Sequence, residues 1–236
     1  MDRTLMKTTL AACAALWAAA TPVLADGPVV VELFTSQGCA ACPPADGLMR
    51  QLAERDDVIA LALHVDYWDY IGWADTFAQP AFTARQHGYG HAVGSSVVYT
   101  PQMIIGGSDF VVGYQPMEVA DLIVAHMAQP DPVDVAVTEE GGGWQVVAAW
   151  TTGGDAPSMV VQIVTYQPHE EVHIAHGENA GHTMEYHNVV TSWQIVGEWS
   201  GASPFEARVE PSEDVPHVVI VQAAENGAIL GAARLD

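Results

Sequence analysis

The sequence predicts an α/β domain followed by an antiparallel β-sandwich-like domain, at residues 26–129 and 130–236. In the first segment, short apolar runs alternate with helical stretches at the spacing of a βαβ unit. Beyond it, short strands repeat between Gly, Pro and Asp residues, as in antiparallel sandwiches. The tripeptide Pro130-Asp131-Pro132 has the composition of a linker between the two segments.

Residues 1–25 have the pattern of a secretory signal peptide. A short charged start precedes an apolar core from Leu10 to Ala20, and Val23-Leu24-Ala25 has the small-residue pattern of a cleavage site. We therefore expect cleavage near Ala25, a periplasmic or secreted location, and no transmembrane domain in the mature chain.

The charge balance and the cysteine count limit the possible functions. The chain carries 29 acidic and 7 basic residues, for a formal net charge of −22, which disfavours binding to nucleic acid or anionic lipid. Signal cleavage would remove Cys13 and leave the pair Cys39 and Cys42. One close pair in an exported protein favours redox chemistry over a disulfide-rich scaffold.

The stretch VVVELFTSQGCAACPPAD, residues 29–46, predicts a buried strand that leads into a helix. Pro43 and Pro44 fit the first turn of that helix, with Ser36 as a candidate cap. A helix N-terminus favours thiolate over thiol. We therefore expect Cys39 to be the exposed, more acidic nucleophile and Cys42 to be the resolving thiol. Half of a zinc site and a permanently oxidised structural disulfide are the alternatives for this pair.

The other elements follow from hydrophobic patterning and turn residues. In the first segment we predict helices at Leu48–Leu52, Phe77–Gln86 and Gln115–Met127, strands at Val58–Val65, Met103–Ile105 and Phe110–Val112, and a loop at Gly88–Ser96. In the second segment we predict strands at Val133–Thr138, Trp144–Thr151, Met159–Tyr166, Val189–Val196, Phe205–Val209, His217–Ala223 and Ile229–Arg234.

Polar residues end the second predicted strand. His64 and Asp66 lie where the carboxyl end of a parallel strand would place them at the same sheet edge as the cysteines. They are candidate accessory residues of the cysteine site, although the charges could instead simply face water.

The order of elements, with Cys39-Ala-Ala-Cys42 after the first strand and Thr100-Pro101 before a hairpin, resembles the thioredoxin fold over residues 28–129. The segments ELFTSQGCAACPPAD, HVDYWDYIGW, YTPQMIIGG and GENAGHTMEYHNVV more specifically resemble a secreted bacterial thioredoxin-like family catalogued as a domain of unknown function, DUF1223. The resemblance implies a cis bond at Thr100-Pro101 that faces the cysteines, and a substrate-contacting role for Pro101.

The resemblance to thioredoxin itself has local differences. Leu33 stands where that family has a buried aspartate, and Glu32, one position away, is a candidate proton acceptor for Cys42 unless strand alternation points it elsewhere. The two alanines between the cysteines provide no cation to stabilise a thiolate. This favours a reductase or isomerase over a strong oxidant.

A histidine-rich segment follows in the second region. His173 and His176 are weak candidates for a metal site. The segment HEEVHIAH lacks the spacing of a helical zinc motif, and a solvated acidic hairpin explains it better. The loop at residues 177–181 is a candidate cover for the cysteine site.

The sequence thus predicts an exported thiol–disulfide oxidoreductase that uses the Cys39/Cys42 disulfide and requires no cofactor. Its expected partners are exported proteins or small-molecule thiols and disulfides. The competing hypotheses are a periplasmic copper- or zinc-binding protein that uses the dithiol and histidines, and a non-catalytic interaction module. The cysteine residues therefore carry the main functional prediction.

Overall fold

The computed structural model describes residues 27–210 and 215–235. Within these ranges the chain forms three α-helices, a short 3-10 helix at Asp69–Ile71 and eleven strands. The predicted signal peptide and Cys13 lie outside the described residues. No helix in the described ranges is both long and apolar enough to cross a membrane.

The elements follow the predicted order. The helices are α1 (Pro43–Ala53), α2 (Pro80–Ala92) and α3 (Pro116–Met127). The strands are β1 (Val29–Thr35), β2 (Val58–His64), β3 (Gln102–Ile105), β4 (Asp109–Val112), β5 (Val133–Glu140), β6 (Gly143–Trp150), β7 (Met159–His173), β8 (Thr183–Trp199), β9 (Phe205–Val209), β10 (His217–Ala223) and β11 (Ile229–Leu235).

Eight of these strands form one mixed sheet in the order β11-β10-β7-β8-β2-β1-β3-β4. The first two strands are parallel, with Val29 opposite Val58, while β3 is antiparallel to β1. Strand β8 joins the free side of β2 through the parallel pair Ala62 and Val189. Strands from both sides of the predicted linker therefore belong to the same sheet.

The predicted fold class, an α/β thioredoxin-like domain followed by an antiparallel β-sandwich-like domain, is wrong. The strands β7, β8, β10 and β11 extend the first sheet through β2 instead of forming an independent two-layer sandwich. A smaller sheet, in the order β5-β6-β9, packs beside this extension. The architecture is consequently mostly β, with a large mixed sheet. The predicted boundary between residues 129 and 130, which would separate two folding units, stays a prediction.

Packing also crosses that boundary. One core cluster joins apolar residues of β1, β2 and α2 to apolar residues of β7, β8 and β10, including Phe34, Phe82, Val164 and Ile220. Because β1 is buried on both faces, its other face packs against α1 and α3. The cysteine turn, which follows β1, is thus held by a strand with core on both sides.

The hairpin of β7 and β8 is longer than predicted and forms the arm described below. We call residues 168–188 the hairpin arm. At its base, Asn188 has a positive φ of 51°, and its Nδ2 atom donates a hydrogen bond to the carbonyl oxygen of Ala60 at 2.9 Å. The arm packs against α1. Its tip therefore reaches the segment that carries the cysteines.

Helix α2 differs from the prediction at both ends, since it begins at Pro80 and continues to Ala92 through part of the predicted Gly88–Ser96 loop. The glycines at 88 and 90 lowered the helical signal. Tertiary packing outweighs this propensity, because Phe82 and Tyr89 of this helix are buried.

Candidate functional site

The cysteine pair forms a disulfide in the turn between β1 and α1. The Cα atoms of Cys39 and Cys42 lie 5.4 Å apart. Cys39 is 1% exposed and Cys42 is 0% exposed, whereas Ala40 and Ala41 between them are exposed. The expected exposure of Cys39 is therefore wrong for the oxidised protein, because both sulfur atoms are covered.

Helix α1 begins immediately after this pair. Cys42 is the N-cap residue and Pro43 and Pro44 occupy the first turn, as their missing N–H groups allow. The Ser36 hydroxyl does not cap this helix but accepts a hydrogen bond from the N–H of Gly38 at 3.1 Å. The positive end of the helix dipole thus lies closest to Cys42.

The tip of the hairpin arm binds the backbone of the turn that carries the disulfide. The side chain of Asn179 donates to the carbonyl oxygens of Gln37 at 2.9 Å and of Cys39 at 3.1 Å. Asn179 is itself 8% exposed. Beside it, Gly177 has a φ of +80°, and a Cβ atom there would lie 3.2 Å from the Cβ of Trp73. The Asn179 side chain, which binds two backbone carbonyls of the cysteine turn, therefore holds the arm tip against that turn.

We expect Asn179→Ala to accelerate reduction of the disulfide by dithiothreitol about 10-fold. Two buried hydrogen bonds together contribute about 1 to 3 kcal/mol, so their loss raises the population in which the arm tip is open. The measurement is the rate of disulfide reduction in folded protein, with the exposed neighbour substitution Glu178→Ala as the control. Equal rates in the two variants, with equal global stability, would show that Asn179 does not close the site.

The Thr100–Pro101 bond lies at the same edge of the sheet as the cysteine turn. It is a cis peptide bond, and the following residue, Gln102, pairs with Phe34 of β1. Trp68 connects the two segments. Its indole N–H donates to the hydroxyl of Thr100 at 2.7 Å, and its Cβ lies 3.3 Å from where a Cβ of Gly38 would be. The structure thus brings Pro101 and Thr100 into the neighbourhood of the cysteines.

A buried carboxyl group, Asp46, lies one helical turn after Cys42. Residues four apart on a helix are neighbours, and the N–H of Asp46 donates to the carbonyl oxygen of Cys42 at 3.1 Å. Its Oδ1 atom accepts a hydrogen bond from the hydroxyl of Thr35 at 2.7 Å. Its Oδ2 atom is buried and makes no hydrogen bond within the described part of the chain.

Burial raises the pKa of Asp46 to about 7, although the charge of His64 and the Thr35 hydrogen bond act in the opposite direction. The nearby charge of Asp75 adds to the increase. A carboxyl group with a pKa near neutrality can both accept and release a proton under ordinary conditions. Asp46 therefore provides a buried, titratable carboxyl group one helical turn after Cys42.

His64 and Asp75 connect the end of β2 to the cysteine turn. The Nδ1 atom of buried His64 lies 2.7 Å from Oδ2 of Asp75, and the N–H of Gln37 donates to the same oxygen at 2.8 Å. The ring of Tyr186, from the hairpin arm, packs edge-on against His64 at 4.9 Å between centroids. Burial and the charges of Asp46 and Asp75 raise the pKa of Tyr186, so its hydroxyl stays neutral.

Comparison with known proteins gives a family but no activity. A family model described as "Protein of unknown function (DUF1223)" matches residues 30–222. The chain belongs to the DUF1223 family. No curated protein matches it.

A solved structure resembles this DUF1223 protein over most of its length. It is the X-ray crystal structure of a protein from Agrobacterium tumefaciens, determined as a structural genomics target. The two chains are 33% identical, with a TM-score of 0.76, and the similarity covers 89% of this chain and 94% of the other. The overall fold of this chain thus has an experimental counterpart.

Two other candidate residues of the DUF1223 protein point away from the disulfide. Glu32 lies on the face of β1 opposite α1 and forms an ion pair with Arg85 of α2, with Arg85 Nε 2.6 Å from Glu32 Oε1. Asp66 accepts a hydrogen bond from the hydroxyl of Thr83, also in α2, at 2.6 Å. Both carboxylates therefore have partners in α2 instead of contacts with the cysteine turn.

The two histidine candidates lie near the tip of the hairpin arm. The Nδ1 atom of His173 lies 3.3 Å from the hydroxyl oxygen of Thr183, and the ring of His176 lies beside Trp73. The group that could hold a metal ion, within the described ranges, comprises His169, Glu185 and His187. The candidate metal ligands in the structure thus lie at the base of the arm instead of at its tip.

Sequence reasoning missed three residues at this site. Asp46 could have been found from its spacing of four residues after Cys42 on a predicted helix. Asp75 and Asn179 carry no comparable signal, because each reaches Gln37 only through the tertiary fold. For Asn179, the sequence predicts only that the loop at residues 177–181 covers the cysteine site.

Proposed function

We propose that this DUF1223 protein is an exported thiol–disulfide oxidoreductase that uses the Cys39/Cys42 pair. The observation that carries the proposal is the placement of Asp46. A buried carboxyl group with a pKa near 7, one helical turn from a cysteine of a disulfide, suits proton transfer during thiol exchange better than it suits a structural staple. The proposal includes a similarity in chemistry to thioredoxin-like proteins. This similarity lies in the cysteine pair and the Thr100–Pro101 bond.

In the proposed cycle, the thiolate of reduced Cys39 attacks a substrate disulfide. A bond forms between the Cys39 sulfur and one substrate sulfur, and the other substrate sulfur leaves as a thiolate. Cys42 then gives its proton to Asp46 and attacks the Cys39 sulfur, which releases the second substrate thiolate and restores the Cys39–Cys42 disulfide. The substrate gains two electrons, and the protein loses two.

The surroundings of the pair favour reduction or isomerisation of substrates over strong oxidation. The described contacts of the cysteine turn are carbonyl, amide and carboxyl groups. No lysine or arginine side chain among them adds to the helix N-terminus in stabilising a thiolate. An exported dithiol or small thiol would return the electrons, and no cofactor other than the protein's own disulfide takes part. The proposed location is the periplasm or the exterior, after cleavage near Ala25.

The test is capture of a mixed disulfide. We expect Cys42→Ser to accumulate adducts through Cys39, because the intramolecular exit is gone, and Cys39→Ser to accumulate none. Pro101→Ala in the Cys42→Ser background should change the lifetime of the adduct. Non-reducing electrophoresis of extracts from cells that export each variant, followed by mass spectrometry, provides the readout.

The two serine variants serve as matched controls for each other, since each removes one sulfur atom and the disulfide. If folded Cys42→Ser protein forms no Cys39-dependent adduct, the pair is structural or metal-binding and the proposal fails.

A further inference from the structure

The base of the hairpin arm gathers three potential metal ligands. One ligand atom from each of His169, Glu185 and His187 lies within 4.8 Å of the others. His169 and His187 are directly opposite each other across β7 and β8, with ring centroids 5.1 Å apart. Glu185 is two residues before His187 on β8, so strand alternation puts both on the same face.

The same face carries an unfavourable charge arrangement. Glu171 pairs directly with Glu185 across the two strands, and like charges at such positions destabilise a hairpin. The chain as a whole has a formal net charge of −22. A bound cation next to Glu185 would offset this repulsion.

His187 provides a fixed point for such a site. It is half-buried, and its Nε2 atom is buried without a hydrogen-bond partner in the described ranges. The next residue, Asn188, anchors the backbone to Ala60 of β2. His169 and Glu185 are exposed, so their side chains are free to close on an ion held at His187.

We propose that these three residues bind a divalent transition metal ion such as Zn(II). Two imidazoles and one carboxylate are the protein ligands of open zinc sites, where a fourth position stays available to water or another ligand. The absence of sulfur from the set favours Zn(II) or Cu(II) over Cu(I). The ion would join β7 to β8 at the base of the arm whose tip binds the turn that carries the disulfide.

This site does not depend on the proposed thiol chemistry. All three ligands lie on the arm, and Cys39 and Cys42 are held in their disulfide. The test therefore uses oxidised, untagged protein, in which the cysteines offer no thiolate to a metal. Failure of zinc binding would leave the trapping experiment unaffected, and the reverse also holds.

The experiment is a calorimetric titration of metal-free protein with Zn(II). We expect one zinc ion per chain in the parent protein, and at least 10-fold weaker binding in His169→Ala and His187→Ala. The matched controls are His173→Ala and His176→Ala, which remove histidines from the same arm and should bind as the parent does.

His169 is exposed, so its variant tests the site even if His187→Ala perturbs the fold. Absence of stoichiometric binding, or equal affinity in the His169→Ala and His173→Ala variants, would overturn the proposal.

Discussion

Asp46→Asn is expected to slow closure of the Cys39–Cys42 disulfide from a mixed disulfide about 100-fold at pH 7. Proton transfer by a positioned group contributes factors of about 10² to 10⁴, and asparagine cannot accept the Cys42 proton. Its amide keeps a similar shape and can still accept the hydrogen bond from Thr35. Rapid mixing of reduced protein with an activated disulfide, with release of the small thiol as the signal, measures this step.

The matched control for this variant is Glu54→Gln, which removes an exposed carboxyl group at the other end of α1. It should leave the rate within about two-fold, because exposed charges of this kind interact weakly. If Asp46→Asn and Glu54→Gln close the disulfide equally fast, Asp46 is not the proton acceptor.

The same substitution should change how stability depends on pH. The pKa of Asp46 is raised by burial from 3.8 to about 7 in the folded protein, so folding favours its protonated form. The stabilisation is fully present below pH 3.8 and is lost as the pH rises through about 7. Relative to the parent, Asp46→Asn should therefore gain up to about 4 kcal/mol between pH 4 and pH 8. Urea unfolding of the oxidised proteins at several pH values measures this difference.

Arg85→Met is expected to lower the free energy of unfolding by about 3 to 5 kcal/mol. The Arg85 and Glu32 side chains are 8% and 0% exposed, and removal of one partner leaves the other charge buried without compensation. Glu32 would retain the hydrogen bond from the hydroxyl of Tyr89. The guanidinium also lies 3.7 Å from the centroid of the Trp193 ring, a contact that methionine only partly replaces.

Arg55→Met provides the matched control, because Arg55 pairs with Asp57 at a comparable distance of 2.8 Å but both side chains are more than one third exposed. Its cost should be below about 1 kcal/mol. Chemical denaturation of the three proteins would contradict this account of the buried pair if both variants lose the same stability.

The local structure around the cysteines could be predicted from the sequence. The apolar residues Val29 to Val31, Leu33 and Phe34 predict a strand buried on both faces, and all seven residues of β1 are buried. Pro43 and Pro44 predicted the start of α1, which begins there. These features depend on neighbours in the chain, whose effects are visible in a linear pattern.

The long-range structure could not be predicted in the same way. The addition of β8 to the side of β2 rests on the pair Ala62 and Val189, and nothing in either strand's own pattern specifies that partner. The burial of Cys39 has the same origin, since Asn179 reaches it from 140 residues further along the chain. The path of the β7–β8 hairpin therefore explains why the sequence predicts both the fold class and the accessibility of the disulfide wrongly.

The alternation of side chains along β1 explains the position of Glu32. The residues on either side of it, Val31 and Leu33, face α1 and α3, so Glu32 faces α2 and Arg85. The carboxyl group that accompanies the cysteines comes instead from Asp46. The sequence predicts a candidate acid on β1, whereas the structure places the buried carboxyl group nearest in sequence to Cys42 on α1.

The most direct test of the central claim is the reduction potential of the Cys39/Cys42 pair in metal-free protein. Equilibration in thiol redox buffers, followed by alkylation and mass spectrometry, gives the fraction reduced at each potential. An exchange-active pair that favours reduction or isomerisation should titrate reversibly between about −300 and −180 mV, whereas structural disulfides typically lie below about −300 mV. A potential below that limit, or a disulfide that equilibrates only when the protein unfolds, would contradict the proposed redox function.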